Sequence, residues 1–495
     1  MKKLPVKELF KGYDEIYIPS DINDNLLLDI ALLPTDITES SILFITEKVG
    51  EANCFFDAGI LENEPACIVV SKACTVINST CPIITADSVR AALSYALSNS
   101  YEIDYGKVKI IGVTGTNGKT TTATLVYSIL VDCGYKAGFI GTGKILPQAY
   151  AISDRYYSMT TPDPTLLYPT IAKMINGGCE YIVMEVSSHS IALGKIAPIR
   201  FKYGIFTNLG NDHLDFHRDK EAYYSTKLQL FNACEYALFN VDDVYSRRGF
   251  NEVKCRKKSF GIIHQGDAYA TEISTSLEGS TFYYREKDLI FKARINLIGA
   301  FNIYNALAAL KCVIDLGIKP CVAKRSIERI DEIDGRMQII KDDITVVIDY
   351  AHTPDAFYNC LKTLKSNINA RQKLIAVFGC GGDRDRSKRQ IFGKYASEYA
   401  DQIIITEDNS RSENTENIIR DILDGINSLS YKIIKDREEA ILYAIGSASS
   451  GDVIAIIGQG HEKYKITKDG YLDFDEEKIV MNAFKRRRYA YESNA

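Results

Sequence analysis

Residues 108–126 decide the fold, and they read VKIIGVTGTNGKTTTATLV. The β-branched apolar run over residues 108–113 predicts a buried strand. Gly115 and Gly118 allow a tight turn, because glycine adopts a positive φ without a steric cost. A helix is predicted from Thr120 onward. Backbone N–H groups at such a helix N-terminus, together with the helix dipole, are suited to hold phosphates.

The same loop carries side chains that suit a nucleoside triphosphate. Lys119 is expected to reach the β and γ oxygens, and Thr120 to ligate Mg²⁺. The strict G-x-x-x-x-G-K-[S/T] pattern fails at one position, where Val113 stands in place of the first glycine. A glycine-rich turn that binds nothing is the alternative, but the Lys-Thr pair directly after the last glycine favours phosphate binding. The predicted ATP-binding residues of the loop are Gly115, Thr116, Asn117, Gly118, Lys119, Thr120 and Thr121.

Length and composition set the broad class of the protein. A chain of 495 residues exceeds one typical core, so about two to four domains are expected. The net charge of −5 argues against a general nucleic-acid binder. Twelve cysteines include no C-x-x-C pair, and no apolar run reaches membrane-spanning length. We therefore expect a reduced, cytoplasmic protein that has small-molecule substrates and no nucleic-acid or membrane partner.

The alternation of strands and helices predicts an α/β protein of three domains. Residues 1–102 are expected to form a small N-terminal α/β domain. Residues 103–334 predict a central P-loop-type domain with a parallel sheet, and residues 335–495 a doubly wound, Rossmann-like domain. The further predicted strands are Gly138–Gly141, Tyr181–Glu185, Tyr203–Thr207 and Ala237–Asn240 in the central domain, then Thr345–Asp349, Lys373–Phe378, Gln402–Thr406 and Val453–Ile457.

Polar residues follow two of the central strands. In parallel sheets, ligands gather at the carboxyl ends of the strands. Glu185 ends one strand, and Asp212 and His213 lie in a polar cluster after the next. Oxygen ligands suit Mg²⁺, and the carboxylate is the most natural of those available. A surface carboxylate at Glu185 and an ordinary polar loop at 212–217 are the alternatives to a Mg²⁺ site beside Thr120.

Each C-terminal strand runs into a polar or glycine-rich turn. The turn at Gly379–Asp385 lacks the G-x-G-x-x-G spacing, and Asp383 would repel a phosphate, which argues against a dinucleotide site. Arg384, Arg411 and Glu462 present both signs of charge at strand ends. That combination favours a zwitterionic ligand such as an amino acid.

These motifs together resemble the Mur ligase family, and within it the MurE type. That type adds the third amino acid to UDP-N-acetylmuramoyl-dipeptide in peptidoglycan synthesis. The resemblance covers about residues 105 to 480. The motifs that carry it are Gly115–Thr121, Met184–His189, Thr207–Leu209, Asp212–Asp215, Gly335–Met337, Asp349–Pro354 and Gly379–Asp385.

The resemblance implies ATP-dependent amide bond formation with Mg²⁺. A substrate carboxylate attacks the γ-phosphate to give an acyl phosphate and ADP, and an incoming amine then displaces phosphate. The protein positions the reactants and neutralises charge. The family pattern implies catalytic roles for Lys119, Glu185, His213 and Lys227. Thr120, Glu185 and His213 would be Mg²⁺ ligands, and Lys227 would join them as the carbamate, N6-carboxylysine. Without the resemblance, an exposed helical lysine would be the favoured interpretation of Lys227.

The resemblance also implies the substrate contacts. Asn302 resembles the adenine contact, Arg336 the arginine that reaches ATP from the third domain, and Asp349 the ribose contact. Lys195 stands where the family usually has arginine, which keeps the charge but loses the planar fork. The implied muramoyl-peptide contacts are Thr160, Thr161, Ser188 and Lys195. The implied amino-acid contacts are Arg384, Asp408, Asn409, Arg411, Gly458 and Glu462.

The sequence departs from the family pattern in both outer domains. Residues 34–44 lack the Asp-Ser-Arg motif that helps to hold the uridine nucleotide, and an Asp-Gly-His motif is missing near residues 50–54. These absences leave the UDP contact open. Members that add diaminopimelate carry Asp-Asn-Pro-Arg, whereas residues 408–411 read Asp-Asn-Ser-Arg. The arginine that would pair with the distal carboxylate remains, but the rigid proline does not.

We therefore predict a monomeric ligase that adds meso-diaminopimelate to UDP-N-acetylmuramoyl-L-Ala-D-Glu. A related ligase with another amino acid, such as L-lysine, or with another acceptor is the main alternative. Folylpolyglutamate synthase is a further relative, but its pattern lacks the Asp-Asn-x-Arg and Gly-x-Gly-His-Glu loops. A nucleotide-binding protein without catalytic activity is disfavoured, because Lys119, Glu185, His213 and Lys227 are all present.

Overall fold

The computed structural model describes residues 1–20, 22–23, 25–31, 34–46, 54–150, 159–428 and 430–494. Its strands form three main sheets in succession along the chain, each covered by helices, as expected for an α/β protein. The missing Asp-Gly-His motif near residues 50–54 falls largely outside the described residues. Short 3₁₀ turns lie at Pro34–Asp36, Ala58–Ile60, Tyr105–Lys107, Gln148–Tyr150 and Gln229–Ala233.

The N-terminal sheet is mixed, with parallel strands at its centre. Its strands lie in the spatial order Leu4–Pro5, Leu27–Ala31, Ser41–Phe44, Cys67–Ser71, Ile83–Ala86 and Ile16–Tyr17. A separate pair joins Cys54–Asp57 to Cys74–Ile77. Helix Val6–Leu9 and helix Val89–Ser100 cover the main sheet, and the Ser88 hydroxyl caps the longer helix by accepting the Ala91 N–H at 3.2 Å.

The central sheet extends further than the sequence predicted. Its strands lie in the spatial order Lys144–Leu146, Ala137–Gly141, Tyr181–Glu185, Lys109–Thr114, Phe201–Phe206, Cys234–Asn240, Arg256–Gly261, Ala268–Ser276, Gly279–Glu286 and Leu289–Ile295. The last two strands are antiparallel to their neighbours. Their inner positions, Phe282 and Tyr284, are buried, while alternate residues face outward. Alternating burial is a weaker sequence signal than the fully apolar run of a central parallel strand, so the sequence analysis did not predict these strands.

Helices cover both faces of the central sheet. They are Lys119–Asp132, Pro164–Asn176, Ser188–Ala192, Lys220–Leu228, Val244–Glu252, Ala300–Asp315 and Pro320–Glu328. Ile110, Ile111 and Val113 of the first strand are completely buried between these layers. The predicted strands of this domain therefore run side by side in parallel, and their carboxyl ends meet at one edge.

The C-terminal sheet is parallel except for one edge strand. Its strands lie in the spatial order Gln338–Lys341, Thr345–Asp349, Val453–Ile457, Leu374–Phe378, Gln402–Ile405 and Tyr431–Ile433. The helices are Pro354–Ser366, Ser387–Tyr399, Thr415–Leu423, Arg437–Ser447 and Glu476–Asn494, and a short hairpin joins Tyr464–Thr467 to Gly470–Asp473.

The predicted domain boundaries lie between the three main sheets. The 102/103 boundary falls after helix Val89–Ser100, and the 334/335 boundary falls before strand Gln338–Lys341. Both boundaries stay predictions. Among the described helices, we find none that is both long and apolar enough to cross a membrane.

A buried lysine fastens helix Ala300–Asp315 to the sheet. The Lys311 side chain is fully buried, and its Nζ donates to Glu286 Oε1 at 2.8 Å and also to Asp315. The Tyr203 hydroxyl donates to the other oxygen of Asp315 at 2.6 Å. Burial alone would lower the pKa of Lys311, but its bonds to the two carboxylates raise it above the ordinary value. The ammonium therefore stays charged and is shared by both carboxylates.

Lys311→Met should destabilise the protein by about 3 kcal/mol, because it leaves the carboxylates of Glu286 and Asp315 largely buried without their shared cation. Urea denaturation followed by circular dichroism measures the loss. The control is Lys324→Met, which removes a more exposed pair with Glu328 and should cost about 0–1 kcal/mol. Equal effects of the two substitutions would contradict a structural role for the buried network.

Candidate active site between the central and C-terminal domains

A cavity of about 700 Å³ lies between the central and C-terminal domains. Residues predicted for three separate ligands line it together. They are Thr116, Asn117, Gly118, Lys119, Thr120, Thr121, Thr160, Glu185, His213, Asn302, Arg336, Asp349, Arg384, Asp408, Asn409, Arg411, Gly458 and Glu462. The predicted residues that do not line it are Gly115, Thr161, Ser188, Lys195 and Lys227.

The phosphate loop has a strand–turn–helix form, and helix Lys119–Asp132 begins one residue earlier than predicted. Gly115 and Gly118 have φ angles of 143° and 82°. A Cβ at the first position would overlap the Thr207 hydroxyl, and a Cβ at the second would overlap the Asn305 amide. Both positions therefore require glycine for two reasons, the backbone angle and the close packing.

Lys119 folds back over its own loop. Its Nζ donates to the carbonyl oxygens of Thr116 at 2.8 Å and Gly115 at 3.1 Å. Burial lowers the pKa of Lys119, and the nearby carboxylates of Glu185 and Asp212 oppose that shift. An anionic phosphate at this loop would favour the charged ammonium further.

Glu185 organises the carboxyl edge of the central sheet. It is fully buried, and its Oε2 accepts a hydrogen bond from the Thr120 hydroxyl at 2.9 Å. The Thr142 backbone N–H donates to Oε1 at 2.8 Å, and the Thr142 hydroxyl donates to Oε2 at 3.1 Å. These three residues follow or end three adjacent strands, so the sheet topology itself brings their oxygens together.

The oxygen atoms around Glu185 fit a magnesium ion that arrives with a nucleotide. Mg²⁺ in phosphate sites uses one or two carboxylates, together with substrate phosphates and water. Over the residues that the structure describes, no group of three or more His, Cys, Asp or Glu side chains could hold a metal ion. Thr120 and Glu185 would therefore share Mg²⁺ with phosphate oxygens.

His213 lies at the same edge in a left-handed conformation with φ 55°. Its ring centroid is 4.7 Å from that of His189, and its Nε2 is 3.3 Å from Asp212 Oδ2. Burial lowers the pKa of His213 to about 3. The imidazole is therefore neutral at pH 7, which is the form that binds metals.

Lys227 lies behind the phosphate loop, in helix Lys220–Leu228. It is almost completely buried, and its Nζ donates to the Gly115 carbonyl oxygen at 2.9 Å. Burial lowers the pKa of Lys227 well below its ordinary value, and the charge of Lys119 adds to the shift. A neutral amine is the form that combines with CO₂, so this environment suits carbamate formation.

The threonine pair predicted to contact the muramoyl peptide lies against the Glu185 cluster. The Thr142 and Thr160 hydroxyl oxygens lie 3.1 Å apart, and Thr160 lines the cavity. Thr161 is buried and donates to the Glu185 carbonyl oxygen at 2.9 Å. Thr160 therefore faces the cavity, whereas Thr161 supports the end of the strand.

The other two predicted muramoyl-peptide contacts are engaged with protein groups. Ser188 is buried, and its Oγ lies 3.0 Å from His217 Nε2. Lys195 is 8% exposed and forms an ion pair with Asp163 at 2.6 Å. Their roles toward substrate stay predictions.

Arg336 extends from the C-terminal domain to the phosphate loop. Its Nη2 donates to Thr120 Oγ1 at 3.0 Å, and its guanidinium lies 4.6 Å from the centroid of the Tyr350 ring. Asp349 accepts the backbone N–H of Met337 at 2.7 Å, and burial raises the pKa of this carboxyl. Asp349 thus fixes the turn that carries the arginine.

A second hydrogen bond joins the same two domains. The Thr353 hydroxyl donates to Asn117 Oδ1 at 3.0 Å. Thr353 Oγ1 also accepts the Ala356 N–H and so caps helix Pro354–Ser366. The start of this helix is therefore held against the phosphate loop.

Asn302 belongs to a chain of amides beside the loop. Its Nδ2 donates to the Ile298 carbonyl oxygen at 2.9 Å, and its Oδ1 accepts from Asn305 Nδ2 at 3.0 Å. Asn305 Oδ1 in turn accepts from the Thr122 hydroxyl at 3.2 Å. The contact of Asn302 with adenine stays a prediction.

The two loops predicted to bind the amino acid are joined to each other. Asn409 Nδ2 donates to Glu462 Oε2 at 2.8 Å, and the Tyr350 hydroxyl donates to the other oxygen of Glu462 at 3.2 Å. Arg411 has φ 52° and donates to the carbonyl oxygen of Gly382 at 2.9 Å. The cavity therefore carries a carboxylate and a guanidinium at fixed positions.

Burial disfavours the charged forms of the ionisable side chains at this end of the cavity. Burial raises the pKa of Glu462 to about 7, and the neighbouring Asp408 adds to the shift. Burial also lowers the pKa of Arg411, and the charge of Arg384 acts in the same direction. A ligand that brings both an ammonium and a carboxylate would relieve both penalties.

Thr142 and Tyr350 contribute to the site although the sequence analysis did not single them out. Thr142 directly follows strand Ala137–Gly141, so the rule that identified Glu185 could also have found it. Tyr350 lies inside the Asp349–Pro354 motif, but its contacts with Arg336 and Glu462 depend on residues distant in sequence.

Comparison with known proteins identifies the family. Residues 113–313 match the Mur ligase middle domain, and residues 335–460 match the Mur ligase, glutamate ligase domain. Two curated relatives are named UDP-N-acetylmuramoyl-L-alanyl-D-glutamate–2,6-diaminopimelate ligase. The one from Syntrophomonas wolfei is 36% identical and covers 92% of this chain and 96% of the relative. The one from Clostridioides difficile is 35% identical, with 96% and 99% coverage.

Solved structures agree with this result. A UDP-N-acetylmuramoyl-L-alanyl-D-glutamate–2,6-diaminopimelate ligase superposes with a TM-score of 0.63 at 26% identity, over 98% of this chain and 99% of that chain. Mycobacterium tuberculosis folylpolyglutamate synthase shares the fold, with a TM-score of 0.62 at 15% identity over 74% of this chain and 92% of that chain. The resemblance predicted from the motifs is confirmed, and the chain belongs to the Mur ligase family.

Proposed function

We propose that the protein uses ATP and Mg²⁺ to join meso-diaminopimelate to UDP-N-acetylmuramoyl-L-Ala-D-Glu through an acyl phosphate. The curated relatives that carry this name align with the chain over nearly its whole length, which supports the proposal. The single observation that carries it is the shared cavity. Lys119, Thr120 and Glu185 line it from one domain, and Arg411 and Glu462 line it from the other.

The first half of the reaction is the transfer of the γ-phosphoryl group to the acceptor carboxylate. Charge accumulates on the phosphoryl oxygens during this transfer. The Lys119 ammonium and the Arg336 guanidinium both lie at the phosphate loop, where they can stabilise that charge. Thr120 and Glu185 would hold Mg²⁺, which would supply further positive charge to stabilise the transferred group.

The second half is attack by the incoming amine on the acyl carbon, with departure of phosphate. The amino acid must be held so that its amine points toward the phosphate loop. Arg411 and Glu462 can hold the carboxylate and the ammonium of the amino acid that do not react. Fixing both reactants in one cavity turns a slow encounter into an intramolecular step.

Contact between the domains protects the intermediate. An acyl phosphate hydrolyses in water, so the cavity must exclude solvent during the reaction. The Arg336–Thr120 and Thr353–Asn117 hydrogen bonds hold the C-terminal domain over the phosphate loop. We infer that nucleotide and substrates stabilise this closed arrangement.

The identity of the acceptor rests on the relatives, because the N-terminal motif for the uridine nucleotide is absent. Residues 34–44 form a 3₁₀ turn and then strand Ser41–Phe44 of the N-terminal sheet. Alignment with the curated ligases extends through most of the chain. This supports a UDP-linked acceptor. The alternative of a ligase that prefers L-lysine is not favoured, because these relatives are named for 2,6-diaminopimelate.

Lys119→Ala should lower kcat by at least about 10²–10³-fold, because the phosphate loop loses the cation that stabilises the transferred group. Phosphate release in the presence of ATP and both substrates measures the effect. The control is Lys107→Ala, which changes a lysine with a 70% exposed side chain before the same strand and should leave kcat unchanged. Activity of Lys119→Ala at the level of the control would contradict the proposed ATP site.

Lys227→Ala should be nearly inactive, and short carboxylates such as acetate or formate should restore part of the activity. The physical reason is that a carbamate at this position would supply an anionic oxygen, which a small carboxylate can imitate. Lys220→Ala, in the same helix, is the control and should keep wild-type activity. Full activity of Lys227→Ala without added carboxylate would rule out the role of Lys227.

Arg411→Ala should remove the preference for meso-diaminopimelate over L-lysine. Lysine lacks the second carboxylate and would leave the half-buried guanidinium without a carboxylate partner, and such mismatches can discriminate by on the order of 10⁴-fold. The measurement is kcat/KM for both amino acids, with and without the UDP-linked acceptor.

The control for this experiment is Arg386→Ala, which removes a guanidinium that pairs with Asp421 on the outer surface of the same domain. It should keep the wild-type preference. A wild-type enzyme that prefers lysine, or an Arg411→Ala enzyme with an unchanged preference, would refute the assignment.

A further inference from the structure

Arg437 is a completely buried arginine for which the reaction described above gives no role. It is the first residue of helix Arg437–Ser447, which Asp436 caps by accepting the Glu439 N–H at 2.8 Å. An arginine is costly to bury unless all parts of its guanidinium are hydrogen-bonded. Its partners therefore indicate why it is there.

The guanidinium of Arg437 bonds the backbone directly before each amino-acid loop. Nη1 donates to the Glu407 carbonyl oxygen at 3.1 Å, and Nη2 donates to the Ile457 carbonyl oxygen at 3.1 Å. Asp408 follows the first carbonyl, and Gly458 follows the second. The same side chain thus contacts the start of both loops, the one that carries Arg411 and the one that carries Glu462.

The sheet does not hold these two loops together by itself. Strands Gln402–Ile405 and Val453–Ile457 are not neighbours, because strand Leu374–Phe378 lies between them. The wide, planar fork of an arginine can bond carbonyl groups on both at once. Arg437 supplies that bridge.

The two loops pack closely against each other, so a small change in either loop would alter the distance between them. Gly458 has φ 131°, and a Cβ there would overlap the Asp408 carboxylate. The Asn409–Glu462 hydrogen bond joins the same loops on the cavity side. A shift of one loop relative to the other would therefore alter the distance between the groups that face the amino acid.

The third hydrogen bond of Arg437 connects it to the last helix. Its Nε donates to Glu476 Oε1 at 2.6 Å, and both side chains are fully buried. Glu476 is the first residue of helix Glu476–Asn494. The C-terminal helix therefore holds the guanidinium in the orientation that reaches both carbonyl groups.

We propose that Arg437 is a positioning residue that sets the separation of Arg411 and Glu462, and thereby the affinity and selectivity for the amino acid. This inference rests on the proposed amino-acid site and adds a residue to it. Arg437 does not line the cavity and acts only through the two loops.

The chain offers a matched control in Arg487. Among the described residues, its guanidinium also bonds a carboxylate and two carbonyl oxygens, those of Asp343, Ile445 and Ala448. These partners precede strands Thr345–Asp349 and Val453–Ile457, so they lie at the amino end of the sheet, away from the cavity. Loss of either arginine should destabilise the domain, but only Arg437 should affect the amino-acid site.

The test compares Arg437→Lys with Arg487→Lys in the full-length enzyme. Steady-state kinetics give KM for ATP, for meso-diaminopimelate and for L-lysine, and thermal denaturation gives stability. We expect Arg437→Lys to raise KM for meso-diaminopimelate by about 10–100-fold, since small misplacements have effects of this size. KM for ATP should not change, and the preference over lysine should fall. Arg487→Lys should lower Tm but leave every KM unchanged.

An unchanged KM for the amino acid in folded Arg437→Lys, or an equal increase in Arg487→Lys, would overturn the proposal. If Arg437→Lys does not fold, Glu476→Gln decides the question, because it weakens the hold on Nε and keeps the arginine. A raised KM for meso-diaminopimelate supports the role, and an unchanged KM refutes it. If no amino acid stimulates wild-type phosphate release, the proposed function itself fails, which is a distinct result.

Discussion

The Thr120 hydroxyl is the point where the two halves of the site meet. It donates to the buried carboxylate of Glu185 and accepts from Arg336 of the C-terminal domain. A buried carboxylate is costly unless it accepts hydrogen bonds. Glu185 accepts from hydroxyl and backbone donors of the central domain, and the Arg336 guanidinium bonds one of those hydroxyl groups, that of Thr120. The position of the C-terminal domain therefore depends on the same few atoms that would hold the phosphates and Mg²⁺. In the proposed mechanism, this coupling would link nucleotide binding to closure of the cavity.

Electrostatic balance explains why the cavity suits two different chemistries. At the phosphate loop, burial lowers the pKa of the Lys119 ammonium, so additional negative charge is favourable there. At the opposite end, Arg411 and Glu462 offer both signs of charge. The first environment suits polyphosphate, and the second suits a zwitterion. An enzyme that must bring a phosphorylated carboxylate to an amine needs both environments in one enclosed space.

The sequence predicted the parts of this arrangement that are local. The phosphate loop was identifiable because strand, glycines and Lys-Thr are contiguous, and Glu185 was identifiable because an apolar strand ends at it. The long-range contacts were not accessible in this way. Tyr350 binds Glu462 across more than a hundred residues of chain, and Arg437 acts through backbone carbonyls, which leave no mark on the identity of the residues that carry them. The antiparallel strands after residue 268 were missed because their alternating burial is a weaker signal than a buried parallel strand.

Transfer of oxygen between substrates tests the central claim most directly. The acceptor is prepared with ¹⁸O in the carboxylate that becomes the amide, and the products are analysed by mass spectrometry. We expect each amide formed to release one phosphate that carries one ¹⁸O atom, because the carboxylate oxygen that attacks the γ-phosphate leaves with it. ADP should be the nucleotide product. Unlabelled phosphate, or AMP with pyrophosphate, would contradict an acyl-phosphate ligase.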